Sequence, residues 1–379
     1  MKIDQIVISP EGVSESLTDR ITDKSKASLV LAFSDRSLIS EKGWYSTLHK
    51  LYPSARIISC TTSGDIADVH LSEDRIVATA IETESSHIHV YNTRCSGGAE
   101  TGVVAAKLAE QTDIAGLRHV FLISDGQLVN GTDLIEAFNN KMPASVSVSG
   151  GLAGDAARFQ KTLVGIDDDI AEGNIAAICF YGENLNIGLG TKGGWDTFGP
   201  ERIITKSENN LLYELDGKNA LELYKTYLGD KAKDLPGAAL LFPLRITTAD
   251  GKPSLVRTIL NINEADQSMV FAGDMPVGSR AQLMKANFDK LIDGAGEAAE
   301  LTQAKGGNSP ELALLVSCVG RKLVLGQRTE EELDAVREIL GEETVLAGFY
   351  SYGELCSSGN DNRSDLHNQT MTITTISES

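Results

Sequence analysis

LVLAF at residues 29–33, RIISC at 56–60 and the glycine-acid step Gly64-Asp65 form a pattern that returns twice along the chain. VFLI at 120–123, SVSVS at 145–149 and Gly154-Asp155 repeat it, as do LALLV at 312–316, VLAGF at 345–349 and Gly353-Glu354. The first apolar residue precedes the glycine by 35, 34 and 41 positions. Short β-prone runs bounded by polar turns read as buried strands. Further strands follow each step: RIVATAIE and HIHVY from Arg75 and His87, IAAICFY and LNIGLG from Ile175 and Leu185, and QTMTITTI from Gln369. Each unit therefore reads β-α-β-turn-β. Unequal intervening segments exclude a solenoid of fixed period, so the expected fold is α/β (α+β), with mixed β-sheets layered with helices.

Helical periodicity predicts helices over 100–111, 132–139, 220–228, 280–291 and 331–340, with Asp133, Ser279 and Thr329 as capping candidates. Length favours two domains, since 379 residues exceed what one core usually supports. Gly199-Pro200 and the polar stretch KSENN place the boundary so that the domains are 1–207 and 208–379. The second opens with a strand, an Asp216-Gly217 turn and a helix stopped by Gly229.

Lys and Arg number 34 against 53 Asp and Glu, a net charge of −19, which opposes a broad nucleic-acid or anionic-membrane footprint. The first residues lack a signal-peptide pattern and no apolar run reaches membrane-spanning length, so a cytoplasmic location without membrane insertion is expected. Five scattered cysteines form neither a disulfide framework nor a CxxC pair. His87 and His89 share a strand face but lack a third ligand, so a solvated face is the plainer reading. Gly188, Gly190 and Gly193 spell GxGxxG without the helix a dinucleotide site needs, leaving a glycine-rich hairpin as the better account.

Cys318 and Arg321 follow a buried-type strand, where the cation can depress the thiol pKa or hold a ligand carboxylate; a core thiol beside a surface arginine is the plainer alternative. His367, Asn368, Gln369 and Thr370 put four polar groups at a strand entry, more than turn capping requires. The glycine-acid carboxylates suit acid-base work or cation binding, or else simply solvated turns.

GFYSYGELCS and LHNQTMTITTI within 348–377, with SCVGR at 317–321 and YELDGKNALELYKTYLG at 213–229, resemble the FIST C-terminal domain. RIISCTTSGDI at 56–66 and SVSGGLAGD at 147–155 resemble the FIST N-terminal domain. The resemblance implies a cytosolic small-ligand sensor, not an enzyme, that signals to a separately encoded histidine kinase. A stand-alone chain of this size resembles the haem-binding nitric-oxide sensors called NosP, implying heme b, nitric oxide as the signal and two-component output. The family resemblance also allows an amino acid or other small carboxylate as ligand.

CxxCH is absent, so a histidine is the default axial ligand. His367 is the first candidate, with His119 and His49 behind it, and Phe242, Pro243, Phe349, Tyr350 and Tyr352 as possible pocket walls. The expected ligand pocket belongs to the C-terminal half, lined by Arg321, Cys318, Tyr352, Gly353, Glu354, His367, Asn368 and Gln369. Without haem, Arg321 would pair with a ligand carboxylate. An enzyme using Cys318 or a glycine-acid carboxylate is the alternative of another class.

Overall fold

The computed structural model describes residues 1–9, 12–41, 43–248, 253–303, 309–357 and 363–379. The repeated pattern becomes three sheets of one design. In the first, Leu29–Ser34 runs parallel to Arg56–Thr61 and antiparallel to Ile76–Glu82, which in turn pairs with Lys2–Ser9. In the second, Leu117–Ser124 runs parallel to Ser147–Leu152 and antiparallel to Asn174–Tyr181, which pairs with His87–Arg94. The third repeats this with Leu312–Cys318, Val345–Ser351, Met371–Glu378 and Leu185–Lys192. Parallel pairs need a crossover, and helices supply it in each unit.

After its glycine-acid step each unit sends a short hairpin into a neighbour's sheet. Asp65–Ala67 pairs with Val345–Ser351 of the third unit. Val164–Ile166 pairs with Arg56–Thr61 of the first. Gly353–Cys356 pairs with Ser147–Leu152 of the second. The exchange is cyclic, so each sheet is completed by a strand from another unit. The inward faces form one apolar core drawn from all three, including Leu31, Phe33, Phe121, Ile178, Leu314 and Phe349.

The third unit is interrupted. Between Leu185–Lys192 and helix Phe288–Gln303, a nine-stranded antiparallel sheet with its own core is inserted over 195–286. Residues 202–208 pair antiparallel with 211–215, so the expected boundary at 207/208 falls at the end of a hairpin strand rather than in an open linker. The mixed α+β class and the division into amino- and carboxyl-terminal domains hold, although strands from both domains share the third sheet.

Three helices fall where periodicity puts them: Thr101–Gln111, Ala220–Leu228 and Thr329–Leu340. Gly131–Lys141 matches a fourth, but its N-cap is Asn130, whose Oδ1 accepts from the Thr132 and Asp133 amides, rather than Asp133. Residues 280–291 do not form one helix. Arg280–Ala286 is a strand paired with Leu244–Thr247, and the helix starts at Phe288, so Ser279 caps nothing there. Thr329 lies inside its helix, after Arg328.

Candidate functional site

The three glycine-acid turns meet where the units join. The Ser63 amide donates to the Tyr350 carbonyl at 2.8 Å and the Gly154 amide to Thr61 at 2.9 Å. Each junction apposes the loop after one unit's opening strand to the next unit's turn. At the first, Arg36 and Arg158 hold Asp155, and Arg158 also reaches Asp35. At another, Lys322 donates to the Ser63 carbonyl at 2.6 Å and pairs with Glu73. Ion pairs thus span both.

The remaining junction is open. Loop 126–131 faces Tyr352 across a cleft of about 250 Å³, closed on its far side by the inserted sheet through Asn210, Leu260 and 271–274. Phe159 stacks on Tyr352 with ring centroids 4.6 Å apart, and its amide donates to the Tyr352 hydroxyl at 3.1 Å. That hydroxyl donates in turn to the Ala156 carbonyl at 3.2 Å. The stacked pair is therefore a fixed aromatic wall. Gly126 and Gly131 permit the close approach: a Cβ on Gly126 would strike the Ala153 carbonyl, and one on Gly131 would lie 2.9 Å from Leu366 Cδ1.

Of the eight expected site residues, the structure puts only Tyr352 on this cleft. Arg321 is completely buried and spends its donors inside the protein. Its Nε and Nη2 bond Glu332 at 3.0 and 2.7 Å, Nη2 bonds the Leu291 carbonyl at 2.7 Å, and Nη1 bonds the Gly193 carbonyl. Glu332 also accepts from Ser317 at 2.9 Å and Tyr350 at 2.7 Å. Arg321 thus ties helices together with four of its five N–H groups, and its complete burial keeps a ligand carboxylate away. Cys318 is buried and its thiol pKa is pushed up, chiefly by burial, which keeps it protonated and unreactive. The other four cysteines are also free and buried.

Glu354 is enclosed, accepting from Ser351 at 2.7 Å and from the Thr370 amide and hydroxyl at 3.2 and 3.0 Å, with Gly353 before it packed on Leu366 and Leu152. Burial pushes its pKa up to about 8 despite those bonds. Asn368 donates to its neighbour's carbonyl at 2.9 Å. Gln369 sits in the left-handed region at φ 64°, against Gly320, and its carbonyl accepts from Trp195 Nε1 at 3.0 Å.

The haem ligands expected from the resemblance do not fit. His367 Nε2 bonds the Cys356 carbonyl at 2.9 Å in a fully packed setting, and burial lowers its pKa. His119 is buried with Nδ1 on Ser147 at 2.8 Å and Nε2 on Ser149 at 3.0 Å, and burial lowers its pKa to about 3. His49 is exposed and stacks on Tyr45. No histidine, cysteine or methionine is among the described residues lining the cleft. Phe349 and Tyr350 are core, and Phe242 packs in the inserted domain. Among the described residues no group of three or more His, Cys, Asp or Glu is arranged for a metal. His87 stacks on Tyr181, and His89 meets Tyr91 edge-on.

The sequence reading missed the cleft's other residues. Phe271 ends a strand of the inserted sheet, Asn210 and Asp274 lie in its connecting segments, and Asn130 is a helix cap. Their only local signal is the glycine-rich spacing around Gly126, Gly131 and Gly273.

The FIST N domain model matches residues 28–218, and the FIST C domain model matches 220–357. The chain belongs to the FIST family. FIST domains indicate a small-ligand sensory role in signalling. This FIST protein is 24% identical over 266 residues to an uncharacterized protein of Methanocaldococcus jannaschii, a match that covers 62% of this chain and about half, 49%, of that relative. Among solved structures, cyanuric acid hydrolase from A. caulinodans aligns over 100% of the FIST chain and 98% of its own, with 7% identity and a TM-score of 0.36. A further cyanuric acid hydrolase aligns over 100% and 99%, with 9% identity and a TM-score of 0.34. Those scores are too low to establish a shared fold, and nothing about reaction or substrate passes to this chain. No described helix is long and apolar enough to cross a membrane.

Proposed function

We propose that the FIST chain senses a small organic molecule in the cleft between loop 126–131, Tyr352 and the inserted sheet, and reports occupancy to a separately encoded histidine kinase. One observation carries the reading. Three junctions share a design, two carry ion pairs across them, and the third carries a cleft with an aromatic wall and convergent polar groups. A ligand there touches the second unit, the third unit and the insertion at once. Its differential affinity for the arrangement of these parts is what can shift a surface seen by a partner.

The volume supports a small guest. It lies below the range of about 300–1,000 Å³ usual for drug-sized ligands, and a haem macrocycle is larger still. No step of the proposed sensing therefore runs through haem or nitric oxide. A catalytic role gains no support from Cys318, whose thiol is buried and protonated, or from Ser351, which bonds Glu354 rather than His367. We propose a non-enzymatic sensor on that basis.

The test is a thermal-shift screen of wild type against Ala272→Trp, a change that fills the cleft from the inserted side. A true ligand at 100 times its Kd adds about 2.7 kcal/mol to the wild type. Compounds that stabilise wild type and Ala272→Trp equally would place the ligand site elsewhere.

A further inference from the structure

We infer that the ligand is a small organic cation, an amine with an apolar body, whose ammonium group is held by the Asp274 carboxylate. This rests on the cleft being the ligand site and adds what the cleft selects. Asp274 is the charged residue among the described lining, beside Asn130, Asn210 and Gln127, and no lysine, arginine or histidine accompanies it. Its carboxylate has no hydrogen bond or ion pair among the described residues. Burial raises its pKa, offset only by the more distant charge of Arg257.

Arg257 does not take the ligand's place. Its guanidinium lies behind the wall, with Nε donating to the Asp274 carbonyl at 3.2 Å and Nη1 to the carbonyls of Leu366 and Val256 at 2.8 and 3.4 Å. Gly273 makes room for it, since a Cβ there would stand 2.8 Å from Arg257 Nε. From the cleft the arginine is therefore set behind backbone, whereas Asp274 is itself a lining residue and only partly buried.

The competing influence is the N-terminus of helix Gly131–Lys141, whose dipole favours an anion. It is already answered. Asn130 caps two of its first amides, and Asp133 sits in the first turn. Asp133 and Asp274 repel one another enough to help raise the Asp133 pKa, behind the effect of burial. Two carboxylates against one recessed guanidinium leave this side of the cleft negative, and the chain's net charge of −19 adds to that field. The remaining lining, Leu152, Leu260, Phe271 and the Phe159–Tyr352 stack, offers apolar surface and π faces that suit the body of an amine.

The experiment compares benzylamine, cyclohexylamine and phenethylamine with benzyl alcohol and benzoate, by thermal shift and calorimetry, on wild type, Asp274→Asn and Ala272→Trp. Ala272→Phe replaces the tryptophan variant if that does not melt cooperatively. At least one amine is expected to stabilise wild type, to bind Asp274→Asn about tenfold more weakly or worse, and to leave Ala272→Trp unshifted. Benzoate or benzyl alcohol binding as well as the amines, and lost in Ala272→Trp, overturns the cation assignment while keeping the cleft. Amine stabilisation retained in Ala272→Trp overturns the cleft itself. No response to any amine also overturns the cation assignment.

Discussion

Arg257 of the inserted sheet donates Nη1–H to the Leu366 carbonyl at 2.8 Å while its Nε–H reaches the Asp274 carbonyl at 3.2 Å. One buried guanidinium thus touches both the cleft wall and the strand Asp365–His367 of the third unit. Replacing it with Met leaves these acceptors unpaired and should cost about 2–3 kcal/mol in urea unfolding. Hydrogen exchange across 365–370 should then stop responding to a cleft ligand that still binds. A preserved exchange response would show that Arg257 does not couple the cleft to strand Asp365–His367.

Arg321 and Glu332 form a buried ion pair with Ser317 and Tyr350 attached. Arg321→Met strands the carboxylate and should cost about 3–5 kcal/mol. Arg321→Met combined with Glu332→Leu should cost less than the single change, as a double-mutant cycle in urea would show. Ligand affinity per folded molecule should not change, in contrast to a residue that pairs with the ligand.

Glu354 links stability to pH. Its folded pKa of about 8 lies above the ordinary 4.5, so the folded state holds a proton that the unfolded chain releases between those values. The contribution is full below about pH 4.5, falls as pH rises, and is exhausted above about pH 8. Across that window wild type should lose several kcal/mol, on the order of 3–5, relative to Glu354→Gln. Denaturant titrations of both proteins from pH 5 to 9 would reveal the difference in slope.

Gly190 lies under helix Phe288–Gln303, where a Cβ would press into the Ala298 carbonyl. Gly190→Ala should destabilise by about 1–3 kcal/mol or displace the helix, as a lowered Tm would show. A dinucleotide should have no effect on either protein.

Residues 1–207 and 208–379 expressed apart should fail to fold singly. The first piece lacks Gly353–Cys356 for its second sheet, and the other lacks Leu185–Lys192 for the third. Far-ultraviolet dichroism should show cooperative melting only for the co-expressed pieces.

The three-unit pattern was legible because buried strands carry their own composition, and each quoted run lies in or overlaps an observed strand. The exchange of hairpins between units was not, since no local signal says which sheet a three-residue strand joins. Residues 280–291 read as a helix because the apolar spacing runs through Asn287. Strand Arg280–Ala286 exists through partners at 195–197, 202–203 and 244–247, which sequence spacing does not reveal. Tyr352 was found from its motif. Arg321 was misread because Glu332, eleven residues on, and the distant carbonyls of Leu291 and Gly193 engage it, and Asp274 was missed because a lone acid outside regular structure acquires meaning only from what faces it.

The cyclic strand exchange also bears on how such a receptor diversifies. The scaffold is a ring locked by mutual donation, so its rigidity does not depend on what fills the vacant corner. Residues 126–131 and 271–274 can be rewritten for chemically different guests while the ring and its two bolted corners stay as they are.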